Sequence, residues 1–195
     1  MKTHRTSRRL LAGTVAAATL LGVAQAPAAF AADDANVTVT GGSLAITAAP
    51  TVGNFTGVTL DGTAKSTTAT FDNFEVNDAR GSGAGWNVTV QATQFKEHDG
   101  LNYVTGGKTL ATSSLSMAAP TVAADGTTSA TPTMTSGPYA IDAASAVKIA
   151  TAAAATGMGK YDFTQAATPL TLSIPTSAYA KTYRSDLTVT LATGP

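Results

Sequence analysis

The chain has 195 residues, 12% of them charged, with acids and bases in equal number and no cysteine. Without thiols there is neither a disulfide framework nor a thiolate metal site, so the fold has to rest on its hydrophobic core. The bases are few and, beyond the N-terminus, scattered, which argues against a nucleic-acid partner.

Lys2, Arg5, Arg8 and Arg9 form a basic head, followed by the apolar, small-residue run Leu10 to Val23 and by Ala29-Phe30-Ala31, a small-x-small cleavage site. This is the pattern of an export signal over residues 1–31, with the mature chain starting at Ala32. Ala24-Gln25-Ala26 is a rival site, made poorer by Pro27 just after it. Ser7-Arg8-Arg9-Leu10-Leu11 resembles a twin-arginine signal; an ordinary secretory signal that contains two arginines is the alternative. Removal of residues 1–31 leaves eight bases against 12 acids, a net charge of −4. No second apolar run is long enough to span a membrane. No sorting signal follows Pro195, so retention on the cell is expected to be non-covalent.

Residues 32–195 are rich in Thr, Val, Ala, Ser and Gly, and β-branched residues suit a pleated surface. Period-two alternation marks several strands. Val37 and Val39 share a face against Asn36, Thr38 and Thr40. Trp86, Val88, Val90 and Ala92 share one against Asn87, Thr89, Gln91 and Thr93. Phe71 and Phe74 are out of phase across Asp72-Asn73, and Phe95 is out of phase with Trp86, which predicts a bulge near Gln94 or the strand's end. Pro120 to Pro138 reads as a long exposed loop. Ala140 to Thr156 is alanine-rich enough for a helix, but Val147-Lys148-Ile149 reads better as strand followed by loop. Leu170, Leu172 and Ile174 alternate with Thr171 and Ser173. In the last strand, Tyr183 to Pro195, Tyr183, Leu187, Val189 and Leu191 face one way and Arg184, Asp186, Thr188 and Thr190 the other. Turn pairs such as Asp61-Gly62, Asp99-Gly100 and Asp125-Gly126 punctuate the pattern. The expected architecture is all-β: a single-domain antiparallel β-sandwich over residues 32–195, Ig-like or jelly-roll-like, with the C-terminal strand in the sheet.

Catalytic chemistry finds little support. His98 is the one histidine beyond the export signal, and it falls in Lys96-Glu97-His98-Asp99-Gly100, where an exposed turn histidine is expected. No Gly-x-Ser-x-Gly elbow is present, and one histidine without cysteine makes no zinc site. Asp72, Glu75 and Asp78 precede Gly81-Ser82-Gly83-Ala84-Gly85; they match no calcium-loop spacing, so a solvated loop is expected there. The glycines lack the Lys-Ser/Thr of a phosphate loop. No cofactor, metal or catalytic residue is expected.

Asp78-x-Arg80-Gly81, then Gly85-Trp86-x-Val88 and Gln94-Phe95, resembles the first signature of the WxL domain of Gram-positive cell surfaces. Tyr183-x-x-x-Leu187-Thr188-Val189-Thr190-Leu191-x-x-x-Pro195 is similar to the second, C-terminal signature in spacing and in its last proline. Gly157-x-Gly159-x-Tyr161 and Leu172-x-Ile174-Pro175 also resemble that family. Two positions depart: the leucine that names the first signature is Val88 here, and the tryptophan usual in the second is Val189. Both swaps keep an apolar strand residue, but a ligand contact made by the second tryptophan would be lost.

The resemblance implies a non-catalytic secreted protein held non-covalently on the cell wall through peptidoglycan. It also implies assembly with other surface proteins, the alternative being a structural or adhesive subunit that binds proteins and only lies near the wall. The binding or fold motif comprises Trp86, Val88, Tyr183, Leu187, Val189, Leu191 and Pro195. Val88, Leu187, Val189 and Leu191 read as core. For Trp86 and Tyr183, core packing and stacking on a sugar are both open, because these rings have an apolar body and a polar edge.

Overall fold

The computed structural model describes residues 34–126 and 128–195; the expected export signal and its cleavage site lie outside them. The elements are β1 (Leu44–Ile46), β2 (Lys65–Ala69), β3 (Phe74–Asp78), β4 (Trp86–Ala92), β5 (Lys96–Glu97), β6 (Leu115–Met117), β7 (Thr121–Asp125), β8 (Thr133–Met134), β9 (Tyr139–Ala140), β10 (Val147–Ala152), β11 (Gly159–Thr164), β12 (Leu170–Ile174), β13 (Tyr183–Arg184) and β14 (Leu187–Thr193). Three four-stranded sheets run in the orders β1-β3-β11-β7, β14-β4-β10-β8 and β2-β12-β6-β9, and β13 and β5 form a small fourth sheet. Every strand pair is antiparallel.

The alternation in β4 holds at every position: Trp86, Val88, Val90 and Ala92 are buried, and Asn87, Thr89 and Gln91 are half-buried on the other face. β12 buries Leu170 and Leu172 in the same way. Side chains from several sheets meet in one core. Trp86 of β4 lies 6.0 Å from Tyr161 and 6.4 Å from Phe163 of β11, and Phe163 stacks on Phe74 of β3 at 4.6 Å. Phe71 and Phe74 are both buried despite their opposite phase, because Phe71 bridges Val52 outside β3 and the Asp72-Asn73 step resets the chain. Phe95 is buried past the end of β4, so the change of phase there is a strand end. The irregularity of this sheet falls in the partner strand instead, between Lys148 and Ala150 of β10. Val147-Lys148-Ile149 opens β10, and loop follows Ala152, as expected.

Three expectations fail. Val37 and Val39 are 86% and 88% exposed and belong to no strand; alternation alone specifies a face only where a neighbouring strand supplies hydrogen bonds. Residues 120–138 are not one loop. β7 pairs along its whole length with β11, and β8 pairs with β10; β7 turns only Val122 partly inward, so its composition looks like that of a loop. The stretch from Tyr183 onward is two strands, not one: β13 pairs with β5, the chain steps at Ser185-Asp186, and β14 pairs with β4. The face assignment survives the step, with Leu187, Val189 and Leu191 half-buried against the core and Thr188 and Thr190 exposed.

Candidate functional site

β14 and β4 align over seven residue pairs, from Leu187 opposite Ala92 to Thr193 opposite Trp86, with Val189 opposite Val90 and Leu191 opposite Val88. The two signatures, nearly a hundred residues apart in sequence, are thus two strands of one ribbon. Six motif residues, Trp86, Val88, Tyr183, Leu187, Val189 and Leu191, pack into or against the same core.

Trp86 is wholly buried, and its indole Nε1–H donates to the carbonyl of Gly157 at 2.8 Å. A buried indole needs such a partner, because an unpaired donor in an apolar interior is costly. Gly157 has φ +71°, and a Cβ there would meet Ala152 and stand 2.8 Å from the indole nitrogen. The third resembling element, Gly157-x-Gly159-x-Tyr161, is therefore the wall of the tryptophan pocket, and its tyrosine ring packs on the same indole.

The Arg80 guanidinium holds Asp78 through Nε and Nη2, both at 2.8 Å, and also donates to the Gly85 carbonyl at 2.8 Å and to Thr193 Oγ1 at 3.1 Å. Asp78 is 2% exposed. The hydrogen bonds from Arg80 hold its carboxyl below the ordinary value of 3.8 despite burial, and hold the guanidinium above its own. Gly194 N–H donates to the Gly85 carbonyl at 3.1 Å, and Asn87 donates to the Gly194 carbonyl at 2.8 Å. The Asp78-x-Arg80 element thereby ties the turn before Trp86 to the end of β14, leaving Pro195 exposed.

At its other end the ribbon opens on a groove of about 1070 Å³. Phe95, Leu110, Leu115, Leu170, Leu172 and Ile174 give it an apolar floor; residues 52–60 form one wall and 178–187 the other. Tyr183 and Leu187 are the motif residues that line it. Phe55 packs edge-on against Phe95 at 5.7 Å, and Thr67 Oγ1 donates to the Thr56 carbonyl at 2.6 Å, which holds the first wall over the floor. The second wall is braced from outside. Tyr183 donates its hydroxyl to the Tyr179 carbonyl at 3.0 Å, Lys181 pairs with Glu97 at 2.8 Å, and Lys108 Nζ sits 4.2 Å over the Tyr179 ring. Glu97 is held below the ordinary carboxylate range, first by the Lys108 amide and then by Lys181. Phe55, Phe95, Tyr179 and Lys181 were not expected as site residues; the available signal for the first wall is only the pair Val58 and Leu60, with Phe55 out of phase across Thr56-Gly57.

The polar groups considered for chemistry are placed differently from expectation. His98 is 8% exposed, not an open turn residue. Its Nδ1 accepts the Gly100 N–H at 3.1 Å, and its ring meets Tyr103 edge-on at 5.2 Å, since the hairpin folds the imidazole inward to close its own turn. Glu75 and Asp78 belong to β3 rather than a solvated loop, because Phe74 and Val76 pull this segment into the core. Glu75 accepts from Thr47 at 3.0 Å and pairs with Lys160 at 3.4 Å; Asp72 holds the Thr51 hydroxyl. Among the described residues, no three His, Asp or Glu side chains gather where a metal ion could sit, and no helix is long and apolar enough to cross a membrane.

Comparison with curated proteins and with solved structures found no match. The family model described as WxL domain surface cell wall-binding matches residues 26–195. The chain belongs to the WxL domain family and is a cell-wall-binding protein of the cell surface.

Proposed function

We propose that the protein is exported, loses residues 1–31 and is held on the wall non-covalently by peptidoglycan in the groove between residues 52–60 and 178–187, without catalysing a reaction. The observation that carries this reading is the division of the signature residues by position. All six pack into or against the core, but Trp86, Val88, Val189 and Leu191 lie away from the groove, whereas Tyr183 and Leu187 also line it. On this reading the signatures build the ribbon, and its groove end holds the ligand. Pro195 is exposed beyond the Arg80 clamp and has no assigned contact with ligand. A binding role without turnover is supported by the commitment of Asp72, Glu75 and Asp78, the carboxylates considered for glycan hydrolysis, to Thr51, Lys160 and Arg80. A sandwich arrangement is supported by the contact of Trp86 in one sheet with Tyr161 and Phe163 in another.

Residues 32–195 mixed with purified wall should sediment with it, and Tyr183→Ala should reduce the bound fraction while Thr188→Ala leaves it unchanged. Mature protein left wholly in the supernatant removes the peptidoglycan reading. Crosslinking on intact cells separates the alternative, a subunit of a protein assembly, by capturing a neighbouring protein where wall alone captures nothing.

A further inference from the structure

We infer that the groove takes an extended peptide with apolar side chains and free carboxylates, so that, within the peptidoglycan reading proposed above, it holds the peptide stem rather than the sugar strand. Three features of the groove carry this.

The first is the backbone of its walls. Among the described residues, no backbone hydrogen bond joins residues 54–60 to another segment; the segment is held by Phe55 on Phe95 and by the Thr67 hydroxyl on the Thr56 carbonyl. On the opposite wall β13 has β5 on one edge and no strand on the other. Two walls with unpaired N–H and C=O groups, separated by an apolar floor, suit a chain that adds as a strand: main-chain bonds supply affinity and alternate side chains reach the floor.

The second is the state of its aromatic rings. Stacking on a sugar needs an open ring face. Phe55 and Phe95 are packed on each other, and Tyr183 is half-buried with its hydroxyl bound to the Tyr179 carbonyl; Tyr179, 57% exposed, has Lys108 over one face. Tyr179 alone of the lining rings is exposed, and one ring with a cation over one face is a smaller platform than a sugar strand needs.

The third is charge. The lining carries Lys181 and Arg184 against Asp186 alone, on a chain whose mature part has a net charge of −4. Arg184 is 56% exposed and reaches Asp186 only at 3.5 Å, and that carboxylate also accepts the Tyr103 hydroxyl at 2.7 Å. The guanidinium, exposed and only loosely paired with Asp186, can exchange that partner for an incoming carboxylate, which it binds better than an ammonium does because its donors form a planar fork. A volume of about 1070 Å³ exceeds a single sugar and accommodates several residues of peptide.

The test titrates the mature chain with stem peptides freed from purified wall by an amidase, with the same peptides amidated at their carboxylates, and with a peptide-free N-acetylglucosamine hexamer. Binding of the stem peptides is expected to weaken by about tenfold on amidation and by a similar factor in Arg184→Glu, whose fold is checked by its urea melt. The hexamer is expected not to bind. Binding of the hexamer but not of the peptides overturns the inference and leaves the peptidoglycan reading standing. So does sedimentation with wall when neither soluble probe binds, or equal affinity for amidated and free peptides. If the mature chain does not sediment with wall but still binds stem peptides, the wall reading falls and the groove's peptide preference survives.

Discussion

Val88 lies directly across the β4–β14 ladder from Leu191. The position that departs from the family's first signature therefore faces a position that keeps the second. Val88 is wholly buried and Leu191 half-buried, so the smaller side chain sits on the inner strand and the larger one covers it from the edge. The other departure, Val189, is opposite Val90 on the same ladder. Both changes fall where cross-strand packing between apolar partners tolerates a different shape.

Trp86→Phe keeps a ring in the pocket but removes the donor to Gly157, leaving that carbonyl unpaired; the expected cost is about 1–3 kcal/mol. Gly157→Ala should be at least as harmful, because φ +71° and the approach of Ala152 and the indole oppose a Cβ there. Urea melts of the two variants check this. A Trp86→Phe midpoint equal to that of the parent would show the indole bond to be dispensable.

The two faces of β14 should respond differently. Thr188→Ala, on the exposed face, should change stability by under about 0.5 kcal/mol. Leu187→Ala, half-buried at the strand's start, should cost about 1–2 kcal/mol, less than truncation of a wholly buried leucine such as Leu170, at about 2–5 kcal/mol. Denaturant midpoints should fall in the order Thr188→Ala, Leu187→Ala, Leu170→Ala, from highest to lowest.

This ordering follows from what the alternation revealed and what it did not. Trp86, Val88, Val90 and Ala92 are buried as the period of two requires, because β4 has a partner on both edges and a core beneath. Val37 and Val39 have the same period without a partner, and nothing local distinguishes them. The fold of the C-terminal signature was legible by face but not by depth, because strand order decides whether β14 is central or an edge. The groove was less legible still: Tyr183 and Leu187 are motif residues, but Phe55, Phe95 and Lys181 come from separate segments and only the tertiary fold gathers them. His98 misled because a turn sequence says nothing about the direction in which its imidazole folds.

Ending the chain after Asp186 removes β14 and with it the partner of all seven residues of β4 on one edge. It also removes Thr193 from Arg80 and Gly194 from Gly85 and Asn87. Although β14 is an edge strand, the shortened chain is expected to lose its cooperative unfolding transition, because the inner strand's backbone groups and the core side of Val88 and Val90 become exposed together. A melt as sharp as that of the full chain would show that the ribbon is not needed for folding.

Acid should remove the contribution of the Asp78–Arg80 clamp to stability. Hydrogen bonds from Arg80 hold the Asp78 carboxyl below the ordinary 3.8 in the folded protein. Its contribution to stability is therefore present in full above that ordinary value and is lost as pH falls below it through the depressed folded value. Asp78→Asn should lower stability at neutral pH, since the guanidinium loses its charged partner, and the difference from the parent should shrink as the pH drops below 3.8. Urea midpoints of the two proteins, measured from neutral pH downward, should converge at the acid end. Curves that coincide at every pH would mean that Arg80 is held by Gly85 and Thr193 alone and that the carboxylate adds nothing to the tie between the two signatures.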